Sequence, residues 1–207
     1  MNEKGENTDD IYFTINSEER TEIKVKNSLF IGTATPIHSK EQAIERLEMI
    51  RKEFYDASHN CFVYRLGETG LDFRAADDGE PSGTAGKPIL FSIQRYGVSD
   101  VLLVVTRYFG GTKLGTGGLS RAYSSTADAV LMLCEKKPVY KTISVRVFCT
   151  YEDVKTILKL LEKYSVHHEG DYRDAIEFRA FIFTSKIEQF TSEIALLTNG
   201  RAGVITL

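Results

Sequence analysis

At 207 residues and 42% hydrophobic content, the chain can bury a sizeable core, as one large domain or two small ones. Its net charge of −3 excludes a protein that coats nucleic acid through bulk charge, although a local basic patch stays open. No run approaches the roughly 18 to 20 consecutive apolar residues that span a bilayer, and three widely spaced cysteines in apolar surroundings (Cys61, Cys134, Cys149) fit buried reduced thiols and a cytoplasmic setting.

In chain order, residues 1–16 read as a flexible leader, since the first ten are polar and carry no apolar periodicity. Alternation over 19–36, through Ile23, Val25, Phe30, Ile31 and Ala34 with a break at Asn27-Ser28, predicts two antiparallel strands. Ser39 is placed to cap a helix that runs to about residue 56 on Ala43, Ile44, Leu47, Ile50 and Phe54. Residues 60–66 and 71–76 then form a hairpin about Gly67-Glu68-Thr69-Gly70. A helix over 85–96 follows, with Pro88 in its first turn and Gly97 closing it. The run 100–106 is continuously apolar and β-branched, as in a strand buried on both faces. Beyond Gly117-Gly118, a long helix sets Leu119, Ala122, Tyr123, Ala127, Val130 and Leu131 at helical spacing against the sheet.

The charged residues 135–138 end in proline and mark a domain boundary, giving a first domain over 17–136 and a second over 139–207. The second reads strand 142–150, helix 152–164, strands near 166–172 and 175–184, helix 186–197 and strand 202–207. That βαββαβ order is ferredoxin-like, so the fold class is α+β with two domains. Nine basic and nine acidic residues cancel in 139–207, and no electrostatic footprint marks this half for binding.

Two segments, DDGEPSGTAGKP (77–88) and VVTRYFGGTKLGTGGLSRAY (104–123), hold nine of the sixteen glycines together with Gly97. Over 85–125, Lys87, Arg95, Arg107, Lys113 and Arg121 stand against Asp100 alone, a local charge of 5 − 1 = +4. Ordering glycine is entropically costly, so glycines clustered beside cations point to backbone amides approaching an anion, with plain tight turns as the competing explanation. Neither segment satisfies a nucleotide fingerprint: Pro81 and Pro88 stand where a P-loop needs Gly and Ser or Thr, and 110–118 lacks the dinucleotide spacing. Asp77, Asp78 and Glu80 could bind Mg²⁺, act as acid or base, form a solvated turn, or pair with Arg107, Lys113 or Arg121 across the loops. No grouping has metal-ligand spacing, and no catalytic residue or cofactor is assigned.

The literal strings DDGEPSGTAGKPIL and VVTRYFGGTKLGTGGLSRAY resemble the signature of the IMPACT family, in its bacterial branch, and the likeness covers nearly the whole chain. The resemblance implies a first domain of the left-handed βαβ type found in a small-subunit ribosomal protein, and a second domain similar to domain V of elongation factor G. It also implies a role near translation, since eukaryotic members are associated with control of initiation under amino-acid starvation, a stress response.

Three functions follow as expectations. In the first, a non-enzymatic protein docks RNA, the ribosome or a translation-associated partner: Arg107, Lys113 and Arg121 contact phosphates, while Tyr108, Phe109 or Tyr123 is available for stacking, Phe109 also being a candidate for the core. Asp78, Glu80, Ser82, Thr84 and Lys87 complete that candidate surface. The second is an enzyme acting on a phosphorylated small molecule, with Asp78 or Glu80 as metal ligand or base. In the third, an adaptor recruits a partner along the second domain's sheet.

Overall fold

The computed structural model describes residues 10–172 and 176–207. Two compact units divide the described residues: Phe13–Pro138 form the first, and Val139–Leu207, with residues 10–12, form the second.

The first unit is built on a five-stranded sheet of order β2-β3-β6-β4-β5, from Glu19–Val25 (β2), Ser28–Pro36 (β3), His59–Leu66 (β4), Asp72–Ala76 (β5) and Val101–Tyr108 (β6). Neighbours pair antiparallel throughout. Because β3 and β4 both flank β6, they run parallel to each other; helix α1 (Lys40–Glu53) crosses between them, and α2 (Gly86–Tyr96) likewise joins β5 to β6. These split crossovers explain the run 101–105, whose residues are all buried. Leu102 and Val104 face the core under α1 with Ala43, Leu47 and Ile50. Leu103 and Val105 face a second core with Ile89 and Ile93 of α2 and with Tyr123, Ala127, Val130 and Leu131 of helix α3 (Gly115–Leu133). The sheet is therefore covered on both sides, which a continuous apolar strand requires.

Local signals act where expected. Ser39 accepts the Gln42 amide at the start of α1, and Gly97 ends α2 at φ 74°, a left-handed conformation open to glycine. Two expectations need correction. Helix α3 begins at Gly115, so the last glycines of the second segment are its first turn. Of the leader, residues 1–9 lie outside the described residues, but Ile11–Ile15 form a strand, β1, with Ile15 buried. Its partner is Lys136–Tyr140 (β7), in the stretch read as a break; the two form a separate two-stranded sheet, where Pro138 is tolerated because every strand is an edge.

The second unit contains Thr142–Cys149 (β8), Val154–Tyr164 (α4), Ser165–Asp171 (β9), Ile176–Phe183 (β10), Ile187–Leu197 (α5) and Gly203–Thr206 (β11). Their antiparallel order β11-β8-β10-β9 is the ferredoxin-like arrangement. Its core packs Ile157, Leu160, Leu161, Phe190 and Ile194 of the helices on Val145, Val147, Phe178 and Ile182 of the sheet. Residue 175, expected to open a strand, lies outside the described residues.

Candidate functional site

The two glycine-rich segments come together at one end of the first unit's sheet. The first leaves β5 at Asp77, whose carboxylate folds back onto the chain. Its Oδ2 accepts the Gly83 amide at 2.8 Å, and Oδ1 accepts those of Ala85 at 3.0 Å and Gly86 at 2.8 Å. Asp77 thus satisfies the orphan amides at the start of α2, which has no N-cap side chain of its own. Burial alone would raise its pKa, but these three amides outweigh it and hold the carboxyl below the usual carboxylate range. Asp78 accepts the Asn60 amide at 2.7 Å and Arg51 Nη2 at 3.0 Å. Its carbonyl meets His59 Nδ1 at 2.8 Å, so that nitrogen carries the proton.

Glu80 turns inward. Its Oε1 accepts Arg107 Nη1 at 2.5 Å and the Tyr123 hydroxyl at 2.8 Å, with His59 Nε2 at 3.9 Å. The Cys61 thiol in turn donates to the Tyr123 oxygen at 3.3 Å. Burial, first of all, pushes the Cys61 thiol up to about 12 and raises the Tyr123 phenol as well. Arg107 also reaches Ser28 Oγ, and its guanidinium lies 5.4 Å from the ring centres of both Phe30 and Phe109. Ser28 Oγ accepts the Gly110 amide at 3.1 Å, and a Cβ on Gly110 would stand 1.9 Å from the Asn27 carbonyl carbon and oxygen. Glycine is required there by close approach.

The nine candidate residues fall into two groups. Glu80, Thr84 and Arg107 are buried and Asp78 is paired; Thr84 donates to the Pro81 carbonyl at 2.6 Å, and the Tyr108 hydroxyl to Asp56 at 2.8 Å. Ser82, Lys87, Lys113 and Arg121 are exposed, and the three cations among them have no ion pair among the described residues. Arg107, read from sequence as a phosphate contact, is instead an internal partner of Glu80. Tyr123, read as a stacking residue, is fully buried, whereas Phe109, a candidate for the core, is 49% exposed. The three carboxylates of 77–80 each face different partners, and no cluster of His, Cys, Asp or Glu suited to a metal occurs among the described residues. No helix among them is long and apolar enough to cross a membrane.

Around the exposed cations lie two grooves. One, of about 340 Å³, is walled by Pro81, Phe109, Lys113, Leu114 and Leu119 and reaches Gly115 and Thr116. The other, of about 410 Å³, runs between α2 and α3 past Lys87, Phe91, Arg95, Ser120 and Arg121. The first turn of α3 has neither a capping side chain nor an acidic residue. Phe91, exposed and 5.7 Å from Lys87 Nζ, was not singled out from sequence. Its signal was the four-residue spacing from Lys87 on one helix face.

Comparison with known proteins gives a family match and whole-chain relatives. Residues 26–131 match the Impact N-terminal domain. "IMPACT family member YvyE" of Bacillus subtilis is 34% identical over 93% of this chain and 89% of its own length. "IMPACT family member YigZ" of Escherichia coli is 29% identical over 89% of this chain and 92% of its own. A crystal structure described as that of a hypothetical protein superposes with a TM-score of 0.68 and 27% identity, covering 96% of this chain and 98% of that one.

Proposed function

Since the chain belongs to the IMPACT family, we propose, on that premise, that its first unit docks the phosphate backbone of RNA across the two glycine-rich segments, as a non-enzymatic binding protein. The observation that carries this reading is the trio Lys87, Lys113 and Arg121. These cations are exposed and without ion pairs among the described residues, while nearby Arg51, Arg95 and Arg107 are all paired. Unpaired cations on a net-acidic chain keep their field available for an anion. The uncapped first turn of α3 adds backbone amides of the same polarity between Lys113 and Arg121. The buried pair contributes no net field: Glu80 and Arg107 neutralise each other and hold the loops in place.

Membership of the family supports a role near translation, and on this reading the larger partner is ribosomal RNA or a translation-associated particle in the cytoplasm. The alternative of an enzyme acting on a phosphorylated small molecule loses its support, because Asp78 and Glu80 are committed to Arg51, Asn60, Arg107 and Tyr123.

The test is the salt dependence of single-stranded RNA binding for the wild type and for Lys87→Ala, Lys113→Ala and Arg121→Ala. Each lost phosphate contact lowers the log-log slope by about 0.7. An unchanged slope and affinity in all three variants would overturn the reading. Co-sedimentation with ribosomes, reduced in the triple variant, extends the test to the larger partner.

A further inference from the structure

The groove beside Phe109 has a composition that phosphate docking does not call for. Its walls are apolar, from Pro81, Leu114 and Leu119, and an aromatic ring stands among them. That ring ends a stack which begins in the core. Tyr123 meets Phe30 edge-to-face at 5.3 Å, Phe30 lies 5.4 Å from the Arg107 guanidinium, and Arg107 lies 5.4 Å from Phe109. Tyr123 and Phe30 are fully buried, Arg107 is 5% exposed, and Phe109 is 49% exposed. The stack therefore runs outward and stops at a half-open ring.

Phe109 is also held in place. Its amide donates to Ser58 Oγ at 3.1 Å, and the next residue, Gly110, is locked against Asn27 and Ser28. An anchored backbone restricts where the ring can stand and so lowers the entropy lost on binding, which is what a stacking platform needs. Beside it is a hydrogen-bond acceptor: the contacts to Glu80 from Arg107, Tyr123 and His59 all fall on Oε1, and Glu80 lines the same groove. Oε2 is then left to accept an N–H from a planar ligand lying on Phe109.

We propose that this groove takes one unstacked nucleobase of a single-stranded RNA, stacked on Phe109 with an N–H edge toward Glu80, while Lys113 meets the adjoining phosphate. The volume of about 340 Å³ is enough to hold one base. Recognition of splayed bases on aromatic rings is how single-stranded RNA is usually read. This inference rests on the RNA-docking reading above and specifies one subsite of it.

The experiment is a fluorescence titration of a short single-stranded RNA carrying one 2-aminopurine, with wild type, Phe109→Ala, Phe109→Leu and the triple variant of Lys87, Lys113 and Arg121. Stacking quenches the probe in the wild type. Both Phe109 variants are expected to lose the quenching and to bind about 5- to 150-fold more weakly, as expected for one lost base stack of ~1–3 kcal/mol, with the salt slope unchanged. Phe109→Leu keeps an apolar side chain of similar size, so its thermal midpoint separates loss of stacking from loss of fold. Salt-dependent binding in which both Phe109 variants quench like wild type would overturn the subsite and leave the docking reading standing. No salt-dependent binding by the wild type would overturn both. Equal affinity for free 2-aminopurine riboside monophosphate would also overturn the proposal, because the site would then take a free nucleotide and not a strand.

Discussion

Glu80 Oε1 and Arg107 Nη1 meet at 2.5 Å, with their side chains 3% and 6% exposed, so an almost dry ion pair joins the first glycine-rich loop to the end of β6. An isolated buried pair of this kind is weak support for stability, because desolvation offsets the attraction. Here the pair is embedded: Tyr123 and Ser28 share the load of hydrogen bonding, and Phe30 and Phe109 flank the guanidinium. Its role is to fix where the two loops stand relative to each other.

Removing both members should therefore cost less than the sum of removing each alone. Glu80→Gln or Arg107→Met alone leaves an uncompensated buried group and should destabilise by about 3–5 kcal/mol. The double variant should fall well short of the sum, by at least ~1 kcal/mol, as expected for directly coupled residues. Urea unfolding midpoints for the four proteins check this, and strict additivity would contradict it.

Asp77 gives a pH-dependent prediction. Its folded pKa is held below the usual range, so the ionised carboxylate is the form the fold prefers. Its contribution is complete above the unfolded value of about 3.9 and is lost as pH falls through the lower folded value. Asp77→Asn should cost about 1 kcal/mol at neutral pH, the scale of a lost helix cap. The gap from wild type should hold from pH 7 to about pH 5 and close in stronger acid, as read by denaturant unfolding across that range. A gap that widens in acid would contradict the assignment.

The cysteines supply a reactivity order. Burial pushes Cys61 up to about 12 and Cys134 to about 11, while Cys149 is only partly buried and raised less. Thiolate is the reactive form. Alkylation of the native protein near pH 8 should therefore mark Cys149 first and leave Cys61 untouched until denaturant opens the fold. Peptide mapping after timed quenching reads the order directly.

Much of the fold was legible because the signals were local. The doubly buried β6, the Ser39 cap, the Gly97 stop and the βαββαβ order of the second unit each rest on residues close in sequence. What escaped was largely non-local. The β-prone run IYFTI was a local signal passed over, but its partner β7 lies more than a hundred residues away and could not be read from it. The candidate site shows the same division. The sequence brought Glu80 and Arg107 together as one option among several, but could not tell a buried cation from a free one. Burial of Arg107 depends on Phe30, Ser28 and Tyr123, which come from distant elements. Lys87, Lys113 and Arg121 stand exposed and have no carboxylate partner among the described residues.

The glycines of the second segment separate those the fold needs from those it does not. At Gly110 a Cβ would strike the Asn27 backbone at 1.9 Å, so Gly110→Ala must displace the chain and should destabilise strongly. At Gly117, in the first turn of α3, a Cβ would meet only the mobile end of Arg121 at 3.6 Å, and the backbone is not left-handed. Alanine there should stabilise by up to about 1 kcal/mol, because glycine carries the larger unfolded-state entropy and the lower helix propensity. Packing does not require glycine at this position. On the docking reading the glycine lets phosphate approach the first-turn amides, so Gly117→Ala should raise the thermal midpoint while weakening RNA binding. A variant that gains stability and binds RNA as well as wild type would show that this turn stays clear of the backbone, leaving Lys113 and Arg121 to hold the phosphates by side chain alone.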